Sequence, residues 1–183
     1  MINKKNLIAK INQENREVFV FKGVSEKQID ELHQFAKNDD LVKYNTSDLT
    51  RFENRANFPT WQEEKTIYTL SDETQSYLGG IIWLEKKELP ARSNLPKEDY
   101  ELTIAIRIYG SLRGHGLALP FAKAVLKDFL KSNQIQGIWL ETSFDNLPTQ
   151  KTFAKLGFVK VAEKDDRGKI VMVCLIDNLQ KTL

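Results

Sequence analysis

The stretch best equipped for chemistry runs from Leu102 to Leu130, opening Leu-Thr-Ile-Ala-Ile-Arg-Ile-Tyr-Gly-Ser-Leu-Arg-Gly-His-Gly-Leu-Ala. Ile104, Ile106 and Ile108 alternate as in a strand, and Gly110–Gly116 interrupts the pattern. Ala118, Phe121, Ala122, Val125, Leu126, Phe129 and Leu130 then form an apolar stripe at helical spacing. Gly114 and Gly116 let main chain come close to a ligand, and the first amides of the following helix have no partner inside it. The helix dipole adds partial positive charge at that end, so the turn suits an anion such as a pyrophosphate, and Arg113 contributes a full charge. The same pattern also serves as an ordinary tight turn. Two other phosphate loops are excluded. No Gly-x-x-x-x-Gly-Lys-Ser/Thr string occurs. Gly114-His-Gly116-Leu-Ala-Leu119 lacks the third small residue of a dinucleotide fingerprint, and no acidic residue closes the next strand. Pro120 requires that the helix begin late or bend, because an interior proline removes a backbone bond.

The elements around this segment read β α α β β β α β α β β, a mixed α/β chain with a largely antiparallel sheet. The first fourteen residues, with Ile2, Leu7, Ile8 and Ile11 isolated among Lys and Asn, suit a short amphipathic helix or a loose arm. Glu17–Lys22 is a strand, and Ser25 with Gln28 forms a capping box ahead of Ile29, Leu32, Phe35 and Ala36. A second helix spans about Ser47 to Ala56, and Phe58–Trp61 reads as an aromatic loop. Strands follow at Thr66–Leu70 and Tyr77–Leu84, then a solvated connection at Glu85–Asp99. Ile138–Thr142 is a strand, and Pro148–Leu156 is a helix ended by Gly157. Phe158–Ala162 and Ile170–Ile176 flank the hairpin signature Asp165-Asp-Arg-Gly168.

Arg113-Gly-His-Gly116-Leu-Ala118 fits the Arg/Gln-x-x-Gly-x-Gly/Ala pattern of the GNAT superfamily of acyl-CoA-dependent N-acetyltransferases. About thirty residues on, the run from Leu140 to Phe158, with Asn146, Phe153, Lys155, Leu156 and Gly157, resembles that family's second block. The likeness is clear over 101–176, and residues 1–100 match in topology only. The resemblance implies a single GNAT-like domain over 1–183, with a mixed, largely antiparallel sheet flanked by helices. It implies an acetyl group passing from acetyl-CoA to a primary amine of a small molecule, peptide or protein, by direct attack in a ternary complex. The pyrophosphate would rest on Arg113, Gly114, His115, Gly116, Leu117 and Ala118. The pantetheine would follow the strand's end at Ile106, Ile108 and Tyr109, in a gap between that strand and Ile138–Thr142. The Ile108 amide would polarise the thioester carbonyl, Asn146 would face the departing sulfur, and Glu101 would be the base, with Glu141 as another candidate. Phe153 stands where many relatives carry a proton-donating tyrosine, which leaves Tyr109, Ser143, Thr149 or an ordered water for that task, or coenzyme A leaving unassisted. The alternative is a regulatory module of the same fold that binds acyl-CoA without turnover.

The remaining signals are structural. His115 can touch phosphate, ribose or solvent; His33 packs on a helix; Cys174, Trp83 and Trp139 sit in apolar strands; and Trp61 is the aromatic best placed to meet an acceptor. No His, Cys, Asp or Glu grouping has metal-ligand spacing, so no metal is expected. Hydrophobic residues make up 41% and charged residues 28% of 183, which excludes a disordered or fibrous chain. A formal charge of +2 gives no electrostatic case for nucleic acid or an acidic membrane. The longest stretch free of charged residues, Thr74–Leu84, is far short of the ~18 a spanning helix needs. With no signal peptide and one cysteine, a cytoplasmic protein is expected, and a homodimer stays open.

Overall fold

The computed structural model describes residues 6–38 and 46–183. The N-terminal segment departs from expectation. Instead of a helix or arm, β1 (Leu7–Gln13) runs antiparallel to β2 (Arg16–Lys22), with Ile11 opposite Val18 and Gln13 opposite Arg16. Along β1 only Ile11 is buried, while Lys10 and Asn12 face solvent. An edge strand needs few apolar residues and tolerates lysine, which is why its sequence reads so weakly. Glu14 and Asn15 turn the hairpin with φ of 49° and 60°, the backbone of a two-residue connection. Residues 1–5 of the expected arm lie outside the described residues.

Helix α1 (Glu26–Asn38) begins at the capping box: the Ser25 amide donates to Gln28 Oε1 at 3.0 Å and the Gln28 amide to Ser25 Oγ at 3.3 Å. The helix expected to reach Ala56 stops earlier, as α2 (Thr46–Phe52), and a 3-10 turn at Arg55–Asn57 follows. The expected aromatic loop is itself a short helix, α3 (Phe58–Gln62), with Pro59 in the first turn, where its missing N–H costs nothing. Strand β3 (Lys65–Ser71) is followed by β4 (Gly80–Lys86). Tyr77–Gly79, expected as strand, precede it outside any strand: Gln28 Nε2 donates to Tyr77 O at 3.1 Å, and Glu31 accepts from the Leu78 amide.

The later elements are β5 (Leu102–Ile108), α4 (Ala118–Leu130), β6 (Gly137–Ser143), α5 (Leu147–Ala154), β7 (Val159–Ala162), β8 (Lys169–Leu175) and α6 (Ile176–Gln180). The fold is mixed α/β, with one eight-stranded sheet in the order β1-β2-β3-β4-β5-β6-β8-β7. Its pairing is mostly antiparallel. Among the described residues β5 and β6 run parallel, over two pairs, Leu102 with Ile138 and Thr103 with Trp139. The hairpin signature at Asp165–Gly168 joins β7 and β8, which pair antiparallel. The sequence extended β8 to Ile176, but Ile176 starts α6, its amide bonded to Gln136 O at 2.8 Å.

The chain forms two compact units, one of Met1–Trp83 with Ile106–Val125, the other of Leu84–Ala105 with Leu126–Leu183. In the first, Phe21, Leu32, Leu70, Ile81 and Phe121 are buried, their exposure at or below 1%. In the second, Leu89, Tyr100, Trp139, Val171 and Val173 pack together, and Trp139 Nε1 donates to Lys87 O at 3.0 Å. Leu89 thus pins a connection that reads as wholly solvated. Gly137 opens β6 where any side chain would collide: a Cβ there would lie 2.6 Å from Asp99 O and 2.7 Å from the Tyr100 ring. Among the described residues no helix is long and apolar enough to cross a membrane.

Candidate functional site

After β5 the chain makes a 3-10 turn over Gly110–Leu112, closed by Leu112 N on Tyr109 O and Arg113 N on Gly110 O, both at 3.2 Å. Gly114 and Gly116 then take φ of 86° and 68°, a region that side chains resist. The amides of Gly114, His115, Gly116 and Leu117 meet no protein acceptor among the described residues. Helix α4 opens at Ala118, so Pro120 is its third residue, where an N–H would have had no partner in any case. The late start resolves the awkward proline without a bend. Leu117 O accepts from Phe121 N at 3.0 Å, and Leu117 and Phe121 are buried, fixing the head of the helix. Four unspent amides lead into a helix dipole, an arrangement that can bind an anion through main chain alone.

The charged side chains near the loop are partly committed. Arg113 Nε donates to Ile108 O at 3.3 Å. His115 Nδ1 lies 3.1 Å from Glu14 Oε2 on the β1–β2 hairpin, and Gln13 Nε2 is 3.3 Å from where a Cβ on Gly116 would stand. The hairpin that the sequence concealed therefore leans on the loop. Tyr109, at 5% exposure, stacks on Phe35 with ring centroids 4.4 Å apart, and its amide donates to Gly79 O at 2.9 Å.

Arg107, inside β5, carries a network that sequence reasoning missed. Its Nε donates to Asp48 Oδ2 at 2.6 Å and its Nη2 to Asp48 Oδ1 at 3.0 Å, a bidentate pair whose side chains are 10% and 8% exposed. Nη1 donates to Ile106 O at 2.8 Å, and the guanidinium lies 4.9 Å from the centre of the Trp83 ring. Arg51 adds one contact to Asp48 at 3.2 Å. Trp61 completes the cluster edge-on to Phe52 and Trp83, at 4.8 and 5.3 Å. A lone cation in the apolar alternation Ile104-Ala-Ile-Arg-Ile is the signal that could have pointed to a buried partner. The partner's identity, 59 residues away, is not a local property.

In the other unit, Glu101 is exposed just before β5, and its carbonyl accepts from Lys87 N at 2.8 Å. It lines an open depression of about 450 Å³ with Lys86, Lys87, Glu88, Lys97 and Glu98. Glu141 accepts from Arg92 at 2.7 Å and Arg167 at 3.2 Å. Both guanidiniums thus engage the carboxylate that the sequence offered as a second candidate base. Asp165 joins the same group and is pulled down to about 2, chiefly by the Lys169 amide at 2.8 Å; burial opposes, and Arg167 and Arg92 add. Asn146 caps α5, its Oδ1 accepting from Thr149 N at 3.3 Å. Phe153 is buried, its ring centre 5.0 Å from that of Phe158, so that position offers no hydroxyl. Burial pushes the Cys174 thiol up to about 11, which suits the core residue expected. Trp83 and Trp139 are core as expected, and His33 Nδ1 lies 2.7 Å from Phe52 O. Among the described residues no group of three or more His, Cys, Asp or Glu is placed to hold a metal.

The acetyltransferase (GNAT) domain model matches residues 19–159. The chain belongs to the GNAT acetyltransferase family. No curated protein sequence matches it. Among solved structures it is similar to an uncharacterized protein from Bacillus halodurans, with a TM-score of 0.72 and 17% identity over 95% of this chain and 93% of that one. It is also similar to spermidine N-acetyltransferase from Vibrio cholerae, solved with CoA and spermine (TM-score 0.68, 15% identity, 89% and 98% covered). An aminoglycoside acetyltransferase solved with coenzyme A gives a TM-score of 0.64 at 14% identity, with 90% and 98% covered. At these identities the shared property is the fold. Within the GNAT chain, the sequence-expected residues Ile106, Ile108, Tyr109, Arg113, Gly114, His115, Gly116, Leu117 and Ala118 form one continuous stretch of the first unit. Glu101, Asn146 and Phe153 belong to the second.

Proposed function

We propose that this GNAT protein transfers an acetyl group from acetyl-CoA to a primary amine of a small molecule, peptide or protein, by direct attack in a ternary complex. One observation carries the reading: the amides of Gly114–Leu117 are unspent and stand at the head of α4, a cradle for a diphosphate. The residues fit the co-substrate, because positive φ at Gly114 and Gly116 and the open space around Gly114 leave the main chain accessible. In this reading Arg113 to Ala118 hold the diphosphate. Ile106, Ile108 and Tyr109 carry the arm along β5, and the Ile108 amide donates to the carbonyl oxygen as charge develops on it. The acceptor nitrogen bonds the acetyl carbon as the carbon–sulfur bond breaks. An alkyl ammonium has a pKa of ~10.4, so its proton must first leave, and we assign that task to Glu101, directly or through water. Asn146, anchored as a helix cap, faces the departing sulfur, and Phe153 forms apolar wall rather than an acid. The spermidine and aminoglycoside enzymes of similar fold support an amine acceptor as the class.

Phe153 also favours a second reading, a module that binds acyl-CoA without turnover. Two measurements decide. Calorimetry with acetyl-CoA should show binding that Gly116→Glu abolishes, since the new carboxylate fills and charges the cradle. Unchanged affinity in that variant refutes the loop assignment. A thiol-release assay over polyamines, amino acids, aminoglycosides and peptide N-termini should find turnover. Silence across the panel, with cofactor binding intact, selects the module.

A further inference from the structure

We infer that Gln13, at the tip of the β1–β2 hairpin, is a side-chain ligand for the diphosphate and closes one side of the main-chain cradle; this rests on the cofactor reading above. Side chains along a strand alternate between its faces. Gln13 therefore shares its face with Ile11, the buried residue of β1, while Asn12 between them is exposed. A polar side chain is thus turned inward at the last position of the strand, where it is half-buried. What it meets there is the glycine loop. Gln13 Nε2 lies 3.3 Å and its Cδ 3.9 Å from where a Cβ on Gly116 would stand. The loop puts no side chain of its own into that space, and the carboxamide enters it from the hairpin. Around Gly114 the equivalent space is open, with no atom within 4 Å. The cradle is therefore walled at Gly116 and open at Gly114. Among the described residues the Gln13 carboxamide has no hydrogen-bond partner, so its N–H groups are available to a ligand.

The hairpin tip is held where this contact needs it. Gln13 pairs across the turn with Arg16, and β2 is bonded in turn to β3. Glu14 and Asn15, at φ of 49° and 60°, close the turn in two residues, which leaves it little slack. Glu14 Oε2 then reaches His115 Nδ1 at 3.1 Å, tying the hairpin to the residue between the two glycines. That contact also occupies a carboxylate which would otherwise oppose an incoming anion. A carboxamide N–H on a diphosphate oxygen is a charge-assisted hydrogen bond, stronger than one between neutral groups. Because the donor is fixed beside the loop before ligand arrives, little ordering cost falls on binding.

The test is a charge series at position 13, read by calorimetry with acetyl-CoA and with its 3′-dephospho form, which keeps the diphosphate. Gln13→Ala should bind both ligands about tenfold more weakly, as for one lost hydrogen bond to a charged group. Gln13→Glu should be about tenfold weaker again, because its carboxylate repels the diphosphate. Gln13→Lys should match or exceed the native affinity. Melting curves establish that each variant is folded, and the folded ones decide. If Gln13 only packs, Glu and Lys will disturb binding alike, and that outcome overturns the inference. So does a Gln13→Ala affinity within about twofold of native. A loss confined to acetyl-CoA, with the dephospho form unaffected, would move Gln13 to the 3′-phosphate and also overturn it. A native chain that binds neither ligand, or a Gly116→Glu variant that binds as tightly, refutes the loop reading itself. Binding that Gly116→Glu abolishes but charge at position 13 leaves unmoved sinks this inference alone.

Discussion

Removing one partner of the Asp48–Arg107 pair should cost far more than removing both. Asp48→Leu leaves a guanidinium about 10% exposed with its bidentate acceptor gone. Breaking a buried pair in this way costs about 3–5 kcal/mol, because the surviving charge cannot regain its hydration. In a domain of this size each kcal/mol moves Tm by ~2–4 °C, so the midpoint should fall by roughly 6–20 °C. Arg107→Met should fall less, since Arg51 still reaches Asp48 at 3.2 Å and is itself one-third exposed. Asp48→Leu/Arg107→Met should recover most of the loss, because apolar side chains of similar volume replace the pair beside Trp83. Salt barely screens so enclosed a pair, and the gap between single and double variants should persist from low salt to about 1 M. Thermal unfolding followed by circular dichroism measures all four proteins. An Asp48→Leu midpoint within 2 °C of the native chain, or a double variant as unstable as that single one, would refute the reasoning.

Three further outcomes are expected. Glu101→Gln should lower kcat about 10²–10⁴-fold, the usual yield of a general base, with cofactor affinity unchanged by calorimetry; a normal rate would move the base elsewhere. Asp165 is held at about 2 against an ordinary 3.8, so its bonds stabilise the fold fully above about pH 4 and are lost as pH falls towards 2. The Tm difference between native and Asp165→Asn proteins should accordingly be constant at neutral pH and close over that interval; a difference independent of pH down to 2 would contradict it. Cys174, 2% exposed with its thiol at about 11, should resist a thiol reagent at pH 8 until denaturant is added, and prompt labelling of the folded chain would count against its burial.

What could be read beforehand was whatever local chemistry dictates. Ser25 and Gln28 announce a helix start because each satisfies the other's amide, and they do so here. The alternation of Ile104, Ile106 and Ile108 and the glycines that follow gave the strand and loop, because those periods belong to single elements. The strand β1 stayed hidden because it owes its form to β2 and buries one residue, and α3 because Pro59 reads as a loop until its place in a first turn is known. Non-local facts were illegible for the same reason. Nothing near Arg107 in the sequence names Asp48, and nothing near His115 names Glu14. Glu141 shows the converse: its alternation in β6 was visible, but not the two arginines that occupy it.

A cradle made of peptide groups asks little of side-chain identity. From Gly114 to Leu117 the backbone path requires glycine at two positions and a buried leucine to seat the helix, while His115 turns its side chain to Glu14. Chains sharing such a turn can therefore drift apart in almost every letter while the shape endures, and kinship among them is better read from spacing and curvature than from residue-by-residue agreement.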